Sequence, residues 1–247
     1  MKKTVLTVML VLTIVSGLFA SGSTEVTRAW FEADKLADAA VKYLPSQRSA
    51  TLEIEGGNTY QAEASYDVRN ADLLFRKVSG DSEVFDLLDT LSDGFILTPF
   101  EDDAVDVDKE YVRSEELDGR TCLVYEADTA VFESIFFYGK SQGGELIGYD
   151  DGDTDGSVKI TLWLDAATGE IIREVIRYDE LSFLPYLTLT QDVRFGSENG
   201  LIVPTEVVTT GHFRRSAAKS FSLYEDVNFT ITEERSGYTK MESYTHE

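Results

Sequence analysis

Two periodicities divide this chain. Between Ser157 and Glu180 the residues alternate: Ile160, Leu162 and Leu164 fall on one side of an extended run, with Thr161, Trp163 and Asp165 on the other. After a tight polar turn, Ile172, Ile176 and Tyr178 stand opposite Arg173, Val175 and Arg177. Alternation with period two, broken by turn residues, predicts a hairpin of two half-buried strands. Strand-like runs recur at Ala50–Glu55, Tyr60–Val68, Leu73–Val78, Tyr111–Glu116, Thr121–Ala127, Phe132–Tyr138, Leu187–Phe195, Leu201–Thr209 and Phe221–Phe229. Gly56-Gly57-Asn58 and Asp118-Gly119 supply hairpin turns, and further turns fall at Gly196–Gly200 and Gly211–Ser216. Pro204 has no backbone donor, so its strand is either an edge or irregular there. The polar stretch Thr232–Glu247 reads as a fraying tail.

Helical spacing appears in two places, both early. Over Thr24–Leu44, Trp30, Ala33, Ala37, Ala40 and Leu44 recur on one face, beside Leu36 and Val41. Thr24 can cap this helix, Glu25 suits its positive end, and Pro45 stops it. A second short helix is predicted over Ser82–Leu91, with Val84, Leu87, Leu88 and Leu91 on one side. Two helices followed by many antiparallel strands predict an α+β fold. So many strands must curl, which gives one large curved antiparallel sheet, an incomplete β-barrel, with the two helices covering its concave face. No repeat, linker or change of composition divides the chain, so residues 23–247 read as one domain.

The first 22 residues stand apart. Lys2 and Lys3 precede the apolar run Thr4–Phe19, and the small residues Ala20, Ser21 and Gly22 follow. This is the three-part pattern of a cleaved secretory signal peptide, which places the mature protein in the periplasm with no stable membrane insertion after cleavage. The rest of the chain holds one cysteine, Cys122, inside the alternating run TCLVYEA, where it reads as a small core residue and rules out an internal disulfide.

Charge narrows the partners. Lys and Arg number 22 against 45 Asp and Glu, a formal net charge of −23. Nucleic acid is bound by clustered cations, so nucleic-acid binding is excluded as a class, and anionic membrane surfaces repel such a protein. A basic envelope protein is the kind of macromolecular partner this charge suits.

Candidate chemistry is sparse. Asp151, Asp153 and Asp155, followed by Gly156, resemble the opening of a calcium loop, but the twelfth position is Leu162 rather than a bidentate Glu. That leaves at most a partial cation site in an acidic hairpin loop. The histidines are His212 and His246, and no HxxxH or CxxC spacing for zinc exists. No GxSxG elbow and no Gly-rich loop entering a helix is present. The expectation is a protein that is not an enzyme and uses no cofactor.

Taken together, LDGRTCLVYEAD, KITLWLDAATGEIIREVIRYDE and LTLTQDVRFGSENGLIVPTEVVTT resemble, in order and residue type over roughly residues 115–230, the bacterial outer-membrane lipoprotein-sorting (LolA-like) family. Trp163, Leu164, Asp165, Thr168 and Gly169 take the places of its WLD..TG hairpin, and Gly200, Val203, Pro204 and Thr205 those of its G..VPT strand. The acidic segment 101–110 and the extension around 139–157 are outside that pattern. The resemblance implies a half-barrel whose apolar cavity shelters a lipoprotein's acyl chains or a lipid-like ligand in transit. The candidate cavity lining is Trp30, Ile160, Leu162, Leu164, Leu187, Leu189, Val193, Phe221, Leu223 and Val227. The same periodicity is produced by a filled core. A second reading on the same scaffold is a protein-interaction or envelope-stress regulatory module acting through its acidic loops.

Overall fold

A computed structural model of the chain describes residues 24–40, 42–67, 75–85, 109–130, 157–179, 186–213 and 226–240. Helix α1 covers 24–40, and a second helical segment begins at 83–85. The strands are β1 (Tyr43–Ile54), β2 (Thr59–Asp67), β3 (Phe75–Gly80), β4 (Glu110–Leu117), β5 (Arg120–Ala130), β6 (Ser157–Asp165), β7 (Ile171–Asp179), β8 (Tyr186–Glu198), β9 (Leu201–Phe213) and β10 (Val227–Lys240). All pair antiparallel in one sheet of order β3-β2-β1-β10-β9-β8-β7-β6-β5-β4. The sheet is open: β3 and β4 lie at its two ends, while the first and last strands meet inside it.

Local chemistry sets the hairpins. Asp118 and Gly119 have φ of 52° and 78°, and Asn199 and Gly200 have 53° and 82°. Two successive left-handed residues make the tight turn whose twist matches antiparallel strands, and Asp-Gly and Asn-Gly adopt it at least cost. The turn between β6 and β7 is organised differently. The Asp165 carboxylate accepts backbone N–H bonds from Ala167 (2.8 Å) and Thr168 (3.0 Å), and Gly169 N–H reaches Asp165 O at 2.8 Å.

Four expectations are corrected. Helix α1 does not reach residue 44, because Tyr43, Leu44 and Pro45 already pair with Lys240, Thr239 and Tyr238 of β10. Residues 232–240 are not a frayed tail: β10 runs to Lys240 between β1 and β9, with Ile231, Glu233, Arg235 and Tyr238 buried. Ile172 does not share a face with Ile176. A register shift near Trp163 pairs Leu164 with Ile171, so Ile171 turns towards α1 while Ile172 packs with Cys122 and Val175 on the other side. Gly196 and Gly211 lie inside β8 and β9 rather than in turns. At Pro204 the strand is irregular, as its missing donor requires. The β8–β9 register shifts beside it, and β9–β10 pairing stops at Glu206.

Helix α1 crosses the strands. Near its start, Tyr125 Oη of β5 donates to Val26 O at 2.9 Å; at its end, Ala40 packs with Val203 of β9 and Tyr238 of β10. A helix of this length spans about 25 Å at 1.5 Å per residue. From β5 to β10 is about 24 Å at ~4.8 Å per strand.

Candidate functional site

The face of the sheet beneath α1 follows from register, since directly opposed residues point the same way. One row across it is Ile160, Ile176, Gln191, Thr209, Ile231 and Leu52. The next is Leu162, Glu174, Val193, Val207, Glu233 and Ala50. All twelve are buried.

The helix meets this face mainly through alanine. Ala29, Ala33, Ala37 and Ala40 are 0–4 % exposed and pack, with Val26, Trp30 and Leu36 beside them, against residues that include Leu123, Tyr125, Leu162, Leu164, Ile171 and Ile202. Small residues let the helix approach closely, and Gly169 leaves no room for a side chain beneath it. A Cβ there would lie 2.7 Å from Glu32 Cβ and 2.9 Å from Ala29 O. Beside it, Arg28 Nη2 donates to Ala166 O at 3.2 Å. Trp30 leans on the Tyr125 ring, centroids 4.8 Å apart. Burial pushes the Tyr125 hydroxyl up to about 12, which keeps it a donor to Val26 O. Close approach contributes little area per residue: four alanine methyls give about 3 kcal/mol at ~0.8 kcal/mol each, where four buried leucines would give at least 6.

The predicted lining is placed as follows. Leu162 and Leu164 lie directly in the α1 contact, Trp30 at its margin, and Ile160, Leu189 and Val193 further along the same face; the five aliphatic residues are 0–3 % exposed. Val227 starts β10 and is half-buried. The side chain of Leu187, together with Phe221, Leu223 and the Asp151, Asp153 and Asp155 loop, lies outside the described residues, as do segments 101–108 and 131–156. Ile160, Leu162, Leu164, Leu189 and Val193 are therefore covered, and Leu162 and Leu164 pack against α1.

Alternation of apolar residues gave no warning of the polar groups on this face. Glu233 sits between two arginines: Arg48 Nε contacts its Oε1, while Arg235 Nε and Nη2 donate to Oε1 and Oε2 at 2.8 and 3.1 Å. Arg48 Nη1 also donates to Tyr66 Oη at 3.0 Å, and its guanidinium lies 5.3 Å from the Phe85 ring centroid. The side chains of Arg48, Glu233 and Arg235 are 0–2 % exposed. Burial alone would raise the Glu233 carboxyl, but the two guanidiniums outweigh it and hold it below the usual range. Arg235 Nη1 and Thr209 Oγ1 are buried with no hydrogen-bond partner. Phase puts Arg48 with Ala50 and Leu52, and Glu233 and Arg235 with Ile231, but it does not show that these charges are buried.

The opposite face carries a separate cluster. Cys122, Val124, Trp163 and Val175 are buried there, and Trp163 Nε1 donates to Glu115 at 2.5 Å beneath the Arg173 guanidinium, 5.0 Å from the ring centroid. Arg173 is itself held by both oxygens of Asp192, at 2.7 and 2.5 Å. Desolvation raises the Cys122 thiol, as suits a core residue rather than a nucleophile. His212, expected in a turn, lies on β9 with Nδ1 2.8 Å from Asn228 Oδ1. Where β9 and β10 part, a groove of about 490 Å³ is lined by Gln47, Ser49, Glu63, Thr205, Glu206, Glu234 and Ser236, with Arg48 and Arg235. Among the described residues no group of three His, Cys, Asp or Glu could hold a metal ion, and no helix is long and apolar enough to cross a membrane.

No protein-family model and no curated protein matches the chain. Among solved structures, it is similar to the LolA superfamily protein NE2245 from Nitrosomonas europaea, at 13% identity over 86% of this chain and 94% of that one, TM-score 0.43. It is also similar to chains in two structures of MucB with MucA, one named as from Pseudomonas aeruginosa. These show 10% and 11% identity over 87% of this chain and 99% of each of those, with TM-scores of 0.20 and 0.19.

Proposed function

We propose that this domain is a non-enzymatic periplasmic carrier that holds the acyl chain of a lipoprotein, or another amphipathic ligand, between the inner face of the sheet and α1. The observation that carries the reading is the mismatch between the two sides of that contact. The sheet offers Leu162, Leu164, Leu123 and Ile171, yet the fully buried stripe of the helix over them is alanine, with Val26, Trp30 and Leu36 only partly buried beside it. A purely structural helix would gain more from larger side chains; a removable cover needs close fit with little adhesion. An exposed acyl chain costs about 0.8 kcal/mol per methylene, so a modest number of methylenes offsets the loss of the helix contact. Trp30, Leu162, Leu164, Leu189 and Val193 would then touch the chain.

Native mass spectrometry of the mature protein, after exposure to a bacterial lipid extract, tests this. Retained acyl species are expected. A protein that stays empty and excludes fluorescent fatty-acid probes would overturn the reading.

The second reading, a module that docks a basic envelope protein, draws on the outer groove, where Glu63, Glu206 and Glu234 gather. Charge reversal at these three positions would abolish such docking and leave acyl binding intact.

A further inference from the structure

We propose that the inner face at the β1–β10 seam is a recognition site for an anionic head group, carboxylate or phosphate, and that Arg235 donates to it. The inference rests on the carrier reading and adds the chemistry of the ligand's polar end.

The protein is strongly acidic, at −23, yet it buries two guanidiniums around one carboxylate. Glu233 uses both of its oxygens on these arginines. Arg235 is bound through Nε and Nη2, both to Glu233, while its Nη1 is buried without an acceptor. A buried donor without a partner is disfavoured, and a carboxylate or phosphate oxygen is the acceptor that a guanidinium edge fits best. The triad lies on the same face as Val193, Val207 and Leu162, because Glu233 opposes Val207 and stands in the Leu162 row. An amphiphile whose tail lay along those residues would carry its head to this seam. The aromatic rings of Tyr66 and Phe85, beside Arg48, would flank it.

The test compares dodecanoate, dodecyl phosphate and dodecanol as ligands of the mature, delipidated protein. They share one tail and differ in the head. The anions are expected to bind at least tenfold more tightly than the alcohol, even though the acidic surface repels them, and added salt should widen the gap by screening that surface. Whichever anion binds better identifies the head group. Arg235→Gln should erase the preference and leave dodecanol affinity unchanged. Glu233→Gln removes the competing carboxylate and should enlarge it. A merely structural role would weaken all three ligands together in both variants. If either variant fails to fold, side-chain N–H resonances of Arg235 in the unaltered protein supply the readout. They should shift with dodecanoate and stay in place with dodecanol. Equal affinity for acid and alcohol, or an unmoved Arg235, overturns the head-group site while the carrier stands. If none of the three binds, the carrier reading fails and this inference falls with it.

Discussion

Gly169→Ala separates a removable cover from a fixed core helix. Gly169 has φ of +76°, where an L-residue costs about 1–2 kcal/mol. Its new methyl would also sit 2.7 Å from Glu32 Cβ and 2.9 Å from Ala29 O, against an optimum of roughly 3.5–4.0 Å for carbon contacts. The turn is pinned by the Asp165 carboxylate, so the helix must give way by roughly 1 Å. A gap of 0.5–1 Å forfeits about a quarter to a half of each contact's attraction. Applied to the alanine stripe alone, that is about 1–2 kcal/mol lost from docking α1. Amide hydrogen exchange followed by mass spectrometry reads this segment by segment. Residues 24–40 should exchange roughly 5- to 30-fold faster, at a factor of ten per 1.4 kcal/mol. Amides of β6 to β8 that exchange only through global unfolding should change by a different factor, since that opening also relieves the backbone cost at Gly169, and dodecanol should associate faster. If helix and strand amides accelerate by the same factor, α1 opens only when the whole domain does, and the cover is refuted.

Ending the chain after Phe229 should abolish cooperative unfolding by circular dichroism, because most of the β1–β10 ladder, from Glu53–Thr230 to Tyr43–Lys240, goes with it. Stability should fall in acid. The Glu233 carboxyl lies below its ordinary 4.5 in the folded state, so its contribution is complete above that value and is lost as pH drops through the folded one. Urea midpoints against pH should show this limb. Glu233→Gln should flatten it at a cost of about 3–5 kcal/mol near neutrality, as expected when one partner of a buried ion pair is removed. Trp163→Phe should cost about 1–2 kcal/mol in urea unfolding, through the lost indole bond to Glu115 and a weaker guanidinium contact. The Glu115 carboxyl, held low first by that indole bond and then by Arg113, should titrate higher in this variant by NMR.

The hairpins were legible wherever alternation ended in turn chemistry. Asp118-Gly119 closes β4 onto β5, and Leu162 and Leu164 face the helix as their phase requires. Sequence reasoning failed where a tertiary partner overrode local pattern. Leu44 has the spacing of α1 but pairs with Thr239, which lies 195 positions along the chain. Ile172 has the phase of Ile176, but a bulge, which alternation does not register, reversed it. Thr232–Lys240 looks like solvated chain because two of its inward residues, Glu233 and Arg235, are charged; they pair with each other, and Arg48, the third member of the cluster, is 185 residues from Glu233. Which apolar residues face inward was thus readable from phase, whereas the buried charges were not, since phase does not show whether a charge meets a buried partner.

That distant pairing bears on how the sheet finds its register. The first and last strands join at β1–β10, a contact no hairpin turn can align. Sliding β10 by one residue would bring Thr232 or Glu234 into the inner face and send Glu233 outward. Arg48 would then remain buried without this carboxylate, at a cost of about 3–5 kcal/mol, comparable to the stability of a marginal domain. A seam of leucines would slip at smaller cost, since a neighbouring apolar residue substitutes for another. The triad therefore does two things with one geometry. It marks a single alignment for the two ends of the chain, and it leaves Arg235 Nη1 buried without an acceptor.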